Sequence, residues 1–330
     1  MKIAILTRAL APFAVIAISV SLICATPKAA AQTWPSKPIR ILVSFAPGGL
    51  TDQIARILQP KLQEGFGQPV IVENKPGAGG TMAEGTLAKS PPDGYTLLLS
   101  ADSVPANPHL MTKLPYDSAK DLLPISMLAQ IPLVLLVGND VPASTLKDFV
   151  AYAKAAGARG SYGSPGVGTS NHLYFEVFKG LTGLDLPHVA YKGGGPALTD
   201  LMGGHIEALL LSSVLAVPQA AAGKVKALAV TGDRRLAQLP GVPTFAEAGY
   251  PNFKPQQWTG LFAPTGTPAA VVSRIHAEFA KALKSPEVAA RFQELNAEPV
   301  MNSQAEFAAF LGNESRVLGR LIKDRGITAQ

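Results

Sequence analysis

Short apolar segments alternate with helix-like segments along most of the chain, and this alternation strongly limits what the chain can fold into. Within the helix-like segments the apolar residues recur at helical spacing, as at Ile54, Ile57, Leu58 and Leu62. We predict strands at 39–45, 70–73, 96–100, 131–137, 161–163, 188–191, 207–211 and 226–230, and helices at 52–64, 81–89, 145–156 and from about 170, 195 and 267 onward. The alternation predicts an α/β fold with parallel sheets.

The pattern falls into two α/β blocks joined near residue 130 and again near residue 255. We therefore expect a discontinuous first domain, 32–130 with 255–330, and a second domain, 131–254. In this interpretation the segment 256–264 carries the chain back to the first domain. Two crossings between two lobes would permit hinge closure over a ligand in the cleft. One large sheet without a hinge is the alternative.

The first 31 residues have a different character. Lys2 and Arg8 precede an apolar stretch at 9–25, and small residues follow at 29–31. This order is typical of a secretory signal peptide, so we predict a signal at 1–31, cleavage after Ala31 and a periplasmic location. The stretch is also short for a membrane span, which needs about 20 residues. A retained N-terminal anchor is the alternative.

Charge and cysteine content exclude several classes of protein. The formal net charge of +6 falls to +3 once Lys2, Arg8 and Lys28 leave with the signal, and no dense basic run remains. A nucleic-acid partner is therefore not expected. Cys24 is the only cysteine and also lies in the signal. The mature chain thus has no disulfide, thiol nucleophile or cysteine metal ligand, and its stability must come from a large core.

Three glycine-rich loops each join a predicted strand to a predicted helix. In a parallel sheet such loops lie at the carboxyl ends of the strands, where helix N-termini offer unpaired N–H groups to an anion. The candidate ligand-binding residues are Pro47, Gly48, Gly49, Asp52, Ser164, Gly166, Gly168, Thr169, Asn171, Lys192 and Gly193. The alternatives are that the glycines only make tight turns, that Asp52 caps a helix, and that Lys192 is solvated.

Enzyme motifs are missing from the sequence. Thr169 stands where a phosphate-binding loop would have lysine, and neither a dinucleotide fingerprint nor a nucleophile elbow occurs. The five histidines lack metal-ligand spacing, so we expect no metal site, no cofactor and no catalysis. His172 could contact a ligand from the first turn of its helix, or it could be only a polar residue at the helix start.

Seven segments in order resemble the periplasmic solute-binding proteins of the tripartite tricarboxylate transporter type, also called the Bug family. They are WPSKPIRILVSFAPGGLTD, VIVENKPGAGG, PPDGYTLLL, YGSPGVGTSNHL, YKGGGPALTDLMGGHIE, LPGVPTFAEAGYP and WTGLFAPTGTP. The resemblance implies two α/β lobes around a cleft that closes like a flytrap. It also implies that the loops at 47–52 and 164–171 form the two jaws, with 191–195 beside the second.

The resemblance further implies a small carboxylate ligand. Leu209-Leu210-Leu211 stand where many relatives have Met-Phe-Asp, and this makes an amino-acid ligand less expected. We expect a monomeric, non-catalytic receptor that delivers an organic acid to the membrane subunits of a transporter or to a sensor kinase. A periplasmic hydrolase with an oxyanion site is the alternative, and the particular acid stays open.

Overall fold

The computed structural model describes residues 34–157 and 160–328, so the predicted signal peptide lies outside the described residues. Ten strands form one mixed sheet. They are β1 (Ile39–Val43), β2 (Val70–Asn74), β3 (Thr96–Ser100), β4 (Leu122–Val137), β5 (Tyr162–Ser164), β6 (His188–Ala190), β7 (Ala208–Ser212), β8 (Lys226–Val230), β9 (Gln256–Pro264) and β10 (Glu298–Pro299). The main path of the sheet runs in the order β2-β1-β3-β9-β4-β7-β5-β6, and β8 and β10 also pair with β4.

The described helices flank these strands. They are α1 (Leu50–Phe66), α2 (Thr81–Ala88), α3 (Ser103–Leu110), α4 (Ser118–Asp121), α5 (Leu146–Ala156), α6 (Ser170–Thr182), α7 (Gly194–Met202), α8 (Ser213–Ala221), α9 (Ala269–Leu283), α10 (Pro286–Glu294) and α11 (Gln304–Arg325). A short 3₁₀ helix, Ala78–Gly80, precedes α2. None of the described helices combines the length and apolar character needed to cross a membrane.

Strand β4 belongs to two parts of the sheet. Its residues 122–132 pair antiparallel with β9, and its residues 133–137 pair antiparallel with β7 and β8. We call the part with β1, β2, β3, β9 and β10 the first half of the sheet, and the part with β5, β6, β7 and β8 the second half. The pairs β1–β2, β1–β3, β5–β6 and β5–β7 are parallel, as the strand–helix alternation predicts.

The alternation of side chains along β4 divides the interior of the second half into two cores. Leu133, Leu135 and Val137 pack with α5 and α6, whereas Val134 and Leu136 pack with α7 and α8. This is what period-2 alternation in a strand covered on both faces produces. The first half has its own core around Trp258, Phe262 and Phe307, so each half is held by separate apolar contacts.

Local sequence signals explain where the helices near the glycine-rich loops begin and end. Helix α1 begins after Gly49 and stops at Gly67, whose left-handed conformation terminates the helix. Helix α6 has Thr169 as its N-cap and Gly183 in the left-handed conformation at its end. The predicted cap Thr145 is confirmed, since it forms a capping box with Asp148 at the start of α5.

Several parts of the fold differ from the sequence prediction. Strand β4 begins at Leu122 rather than at 131, because bulges near Pro124 and Met127 let an irregular sequence continue the pairing with β9. The segment predicted as a joint at 256–264 is the strand β9 itself. Helix α3 was not predicted because it contains Pro105 and Pro108, residues that usually argue against a helix.

Candidate functional site

The loops after β1, β3 and β5 lie at the carboxyl ends of their strands. Hydrogen bonds join the end of β3 and its loop to the other two. The hydroxyl of Ser44, after β1, donates to that of Ser100, at the end of β3, with 2.9 Å between the oxygens. Two residues further on, Asp102 Oδ2 accepts the N–H of Ser170, the first residue of α6, at 2.8 Å. These two contacts bring the loop 44–49 and the loop 164–169 to the same end of the sheet.

Asp52 shapes the loop before α1. Its buried carboxylate accepts the Gly48 N–H at 2.8 Å, the Arg56 Nε–H at 2.9 Å and the Asn74 amide at 2.9 Å. Burial raises the pKa of Asp52, but the hydrogen bonds from Arg56, Gly48 and Asn74 outweigh burial and hold that pKa below its usual value. Asp52 is therefore charged at neutral pH, and its bonds fix the turn at Gly48, where φ is +79°.

The loop before α6 is also closed by its own hydrogen bonds. Thr169 Oγ1 donates to the Gly166 carbonyl at 2.8 Å, and the Gly166 N–H donates to Ser164 Oγ at 3.1 Å. The Gly168 N–H donates to His172 Nδ1 at 3.0 Å. Gly168 has φ of +76°, and a Cβ there would lie 2.6 Å from Leu110 Cδ1 of α3. The φ of Gly168 favours glycine, and a Cβ there would also require the Leu110 side chain to shift.

The third loop lies directly against the second. The Tyr191 N–H donates to the Ser164 carbonyl and the Gly193 N–H donates to the Pro165 carbonyl, both at 2.9 Å. Lys192 is exposed, and none of the ion pairs found between described residues includes it. The candidates Ser164, Gly166, Gly168, Thr169, Lys192 and Gly193 are therefore close neighbours at the start of α6 and α7.

Several backbone donors proposed from the sequence are already used inside the chain. The Gly49 N–H donates to the Ala46 carbonyl at 3.2 Å, and those of Gly48 and Gly168 bond to Asp52 and His172. Among the described residues, no acceptor is found for the N–H groups of Leu50 and Thr51 at the start of α1. The first turn of α1 therefore keeps open donors that an anion can accept from.

Four buried polar side chains beside the start of α6 were missed by the sequence analysis. Ser212 and Ser213 have hydroxyls without a hydrogen-bond partner among the described residues, and the same holds for the Oε1 atoms of Gln256 and Gln257. Register places them together, because Ser212 pairs with Leu133 and the two glutamines pair with the preceding residues of β4. Buried unpaired polar atoms mark a place where a polar ligand can be accommodated.

Gln257 connects this group to α6. Its Nε2 donates to Ser170 Oγ at 3.2 Å and to Asn171 Oδ1 at 3.0 Å, and Asn171 Nδ2 donates to the Leu210 carbonyl at 2.9 Å. Asn171 is thus held by β7 and β9. The available sequence signal was the pair of adjacent glutamines at a predicted crossing between domains.

The buried carboxylate of Glu84 holds the residues at the end of β3 in place beside the candidate site. Glu84 of α2 accepts the hydroxyls of Ser100 and Ser103 at 3.0 and 2.7 Å, and it also accepts the Tyr116 hydroxyl and the Asn107 amide. Burial raises the pKa of Glu84, and these four donors act against that rise. The network ties α2 to the strand end that precedes Asp102.

His172 lies beneath the second loop and stacks on His188, with 3.8 Å between ring centroids and 9° between planes. Burial lowers the pKa of each imidazole to about 4. Both rings are therefore neutral at neutral pH, which lets His172 Nδ1 accept the Gly168 N–H. Within the described residues no group of His, Cys, Asp and Glu has the geometry to hold a metal ion.

Comparison with known proteins identifies the family of this chain. A family model described as "Tripartite tricarboxylate transporter family receptor" matches residues 54–327. The protein BugT of Bordetella pertussis is 36% identical over 298 residues, which covers 90% of this chain and 91% of BugT.

Two solved structures show bound ligands. The R. palustris protein Rpa4515 with adipate has a TM-score of 0.79 and 32% identity, and the match covers 89% of this chain and 99% of that one. MatC from Rhodopseudomonas palustris with bound malate has a TM-score of 0.76 and 32% identity, with 88% and 100% covered.

The fold is that of the two-lobed periplasmic binding proteins, with α/β lobes around a cleft. The chain belongs to the family of tripartite tricarboxylate transporter receptors, which includes the Bug proteins. The α/β class, the two-lobed architecture and the family resemblance seen in the sequence are confirmed.

Proposed function

We propose that this protein captures a small organic carboxylate between its two lobes and presents it to a membrane transporter of the tripartite tricarboxylate type. The observation that carries the proposal is the pair of contacts that links the loop before α1 to the start of α6, from Ser44 to Ser100 and from Asp102 to Ser170. Helix N-termini favour anions because their N–H groups are unpaired and partly positive. The adipate and malate bound by two solved relatives support a carboxylate as the anion.

In this proposal the ligand contacts come from both halves of the sheet. The open N–H groups of Leu50 and Thr51 take one carboxylate, and Asn171 with the unpaired hydroxyls of Ser212 and Ser213 contacts the other end of the ligand. The glycines at 48, 49, 166 and 168 hold the two loops in the conformation that makes these contacts possible.

The proposed lobes are 32–130 with 255–330, and 131–254. The change of partner along β4 at residues 132–133 supports this division, since β9 ends its pairing there and β7 begins. Closure of the two lobes over the carboxylate would then require bending in β4, which crosses between the lobes, and in the segment just before β9, where the chain returns to the first lobe. A smaller radius of gyration in solution scattering on addition of the ligand is the expected result.

The proposal also holds that the protein is monomeric and non-catalytic. It further holds that the protein delivers its ligand to a transporter rather than to a sensor kinase. Isothermal titration of the mature protein against mono-, di- and tricarboxylates tests its central part. We expect stoichiometric binding of at least one of these acids, with the acid recovered unchanged. Absence of binding to every acid, or conversion of a bound acid into a product, would contradict the proposed function.

A further inference from the structure

A polar cavity of about 410 Å³ opens between α6 and the end of α11. One wall is a single face of α6 that carries His172, Glu176 and Lys179, and the opposite wall begins at Arg325. Val167, His188 and residues 326–328 complete the lining. Because its walls come from α6 and the chain end at 325–328, this cavity is distinct from the helix N-termini proposed to hold the carboxylate.

The charged groups of the cavity leave one excess positive charge. Glu176 accepts from Lys179 Nζ at 2.7 Å and from the Tyr162 hydroxyl at 2.7 Å, and Arg325 Nε lies 3.7 Å from its second oxygen. Burial raises the pKa of Glu176, but Lys179 and Tyr162 outweigh burial and the pKa is lowered. Glu176 is therefore ionised and neutralises one of two cations, and the Arg325 side chain is 39% exposed beside it.

His172 adds a buried donor without a partner. Its Nδ1 accepts the Gly168 N–H, so the neutral ring carries its proton on Nε2. The side chain is 4% exposed, and no acceptor for Nε2 is found among the described residues. The stack on His188 holds the ring in place. An N–H of a largely buried side chain that lines a positively charged cavity is suited to an oxygen atom of an anion.

We propose that this cavity is a second ligand site, for a small oxyanion. The Arg325 guanidinium binds two of its oxygens, as planar guanidinium groups do with phosphate, and His172 Nε2–H donates to another. Lys179 stays paired with Glu176, so Arg325 supplies the excess positive charge.

Two hydrogen bonds connect the cavity to the loop 164–169. His172 is bonded to Gly168, and His188 Nε2 lies 2.7 Å from Ser164 Oγ. Occupation of the cavity therefore changes the surroundings of Gly168 without direct contact between the anion and that loop's glycines.

Titration of the mature protein with inorganic phosphate, at ionic strength matched with sodium chloride, tests the site. We expect saturable binding that Arg325→Gln weakens about tenfold or more, since a charge-assisted pair is lost. Arg320→Gln is the matched control, because Arg320 is an exposed arginine of the same helix that does not line the cavity. It should bind phosphate like the unmodified protein.

Nuclear magnetic resonance supplies the second measurement. Phosphate should shift the His172 Nε2 and Gly168 amide signals in the unmodified protein and in Arg320→Gln, but not in Arg325→Gln. Equal phosphate binding by both variants would overturn the proposal, as would saturation that leaves the His172 signal unmoved. Shifts of the His172 and Gly168 signals that are no larger with phosphate than with chloride would also overturn it. None of these outcomes depends on whether the main cleft binds a carboxylate.

Discussion

Thr169 and Lys192 offer a bound carboxylate two different kinds of support. Thr169 is the N-cap of α6, and its hydroxyl is bonded within the loop to Gly166. Lys192 is an exposed cation beside the same loop. The first acts through fixed backbone geometry and the second through charge that solvent screens. The chemistry of the site therefore predicts that removing each side chain will reduce the affinity for the carboxylate by a different amount.

Thr169→Ala should weaken carboxylate binding about tenfold, because the loop loses a hydrogen bond and the N-cap of α6. It should also lower stability by about 1 kcal/mol. Thr145→Ala is the control, since it removes the cap of α5 with the same chemical change. We expect a similar loss of stability from Thr145→Ala and unchanged affinity in isothermal titration.

Lys192→Ala should reduce the affinity for the same carboxylate less than Thr169→Ala does. The two variants are compared by isothermal titration against the best acid found in the screen. Loss of binding in Lys192→Ala together with normal binding in Thr169→Ala would show that a side-chain ion pair holds the ligand. The proposal of helix N-termini as the main anion site would then be wrong.

At the scale of elements, α3 packs against the loop before α6. A side chain at Gly168 would require Leu110 of α3 to shift, and the φ of +76° at Gly168 already disfavours one. Gly168→Val should therefore lower the melting temperature and weaken carboxylate binding more than Thr169→Ala. Gly223→Val is the control, with φ of +69° and nothing within 4 Å of its Cβ position. A melting temperature equally low in both variants would show that the contact with Leu110 does not matter.

The stacked imidazoles of α6 and β6 predict a loss of stability in acid. Because burial lowers the folded-state pKa of His172 and His188 to about 4, the unfolded chain binds protons first as the pH falls below about 6.5. The free energy of unfolding should decrease from pH 6.5 to pH 4 through these two groups, with no further contribution from them below pH 4.

The two histidines can be separated from other acid-sensitive groups by substitution. His172→Asn keeps an oxygen where Nδ1 accepts the Gly168 N–H but does not titrate, so calorimetry should show a shallower loss of stability in acid. A profile that is the same in His172→Asn and the unmodified protein would contradict the assignment.

Sequence patterns predicted the strands and the loops better than the contacts between them. The apolar alternation at 39–45 and 96–100 depends on local burial, and both strands are present. Asp102 was not recognised because its partner Ser170 is 68 residues away, and Ser212 and Gln256 were missed because strand register brings them together. Helix α3 could not be predicted either, because tertiary packing of Ala106 and Leu110 overrides the low helix propensity of two prolines.

At the scale of the whole molecule, the signal peptide at residues 1–31 remains a prediction from the sequence. Their basic, apolar and small-residue order predicts that the exported protein begins at or near Gln32. Mass spectrometry of the protein released from the periplasm measures this directly. Met1 on the released protein would contradict the prediction, and a chain that stays with the membrane fraction would favour the retained anchor.

The position of β9 between β3 and β4 makes the order of synthesis important for folding. The strands on either side end by residue 137, but the strand that joins them begins only at Gln256. A growing chain therefore has two neighbouring strand edges without a partner while more than a hundred further residues are added. Unpaired edges favour aggregation, so the emerging chain needs protection by chaperones until residue 264 is available. If the predicted signal peptide directs export, the same delay suits a polypeptide that crosses a membrane before it folds.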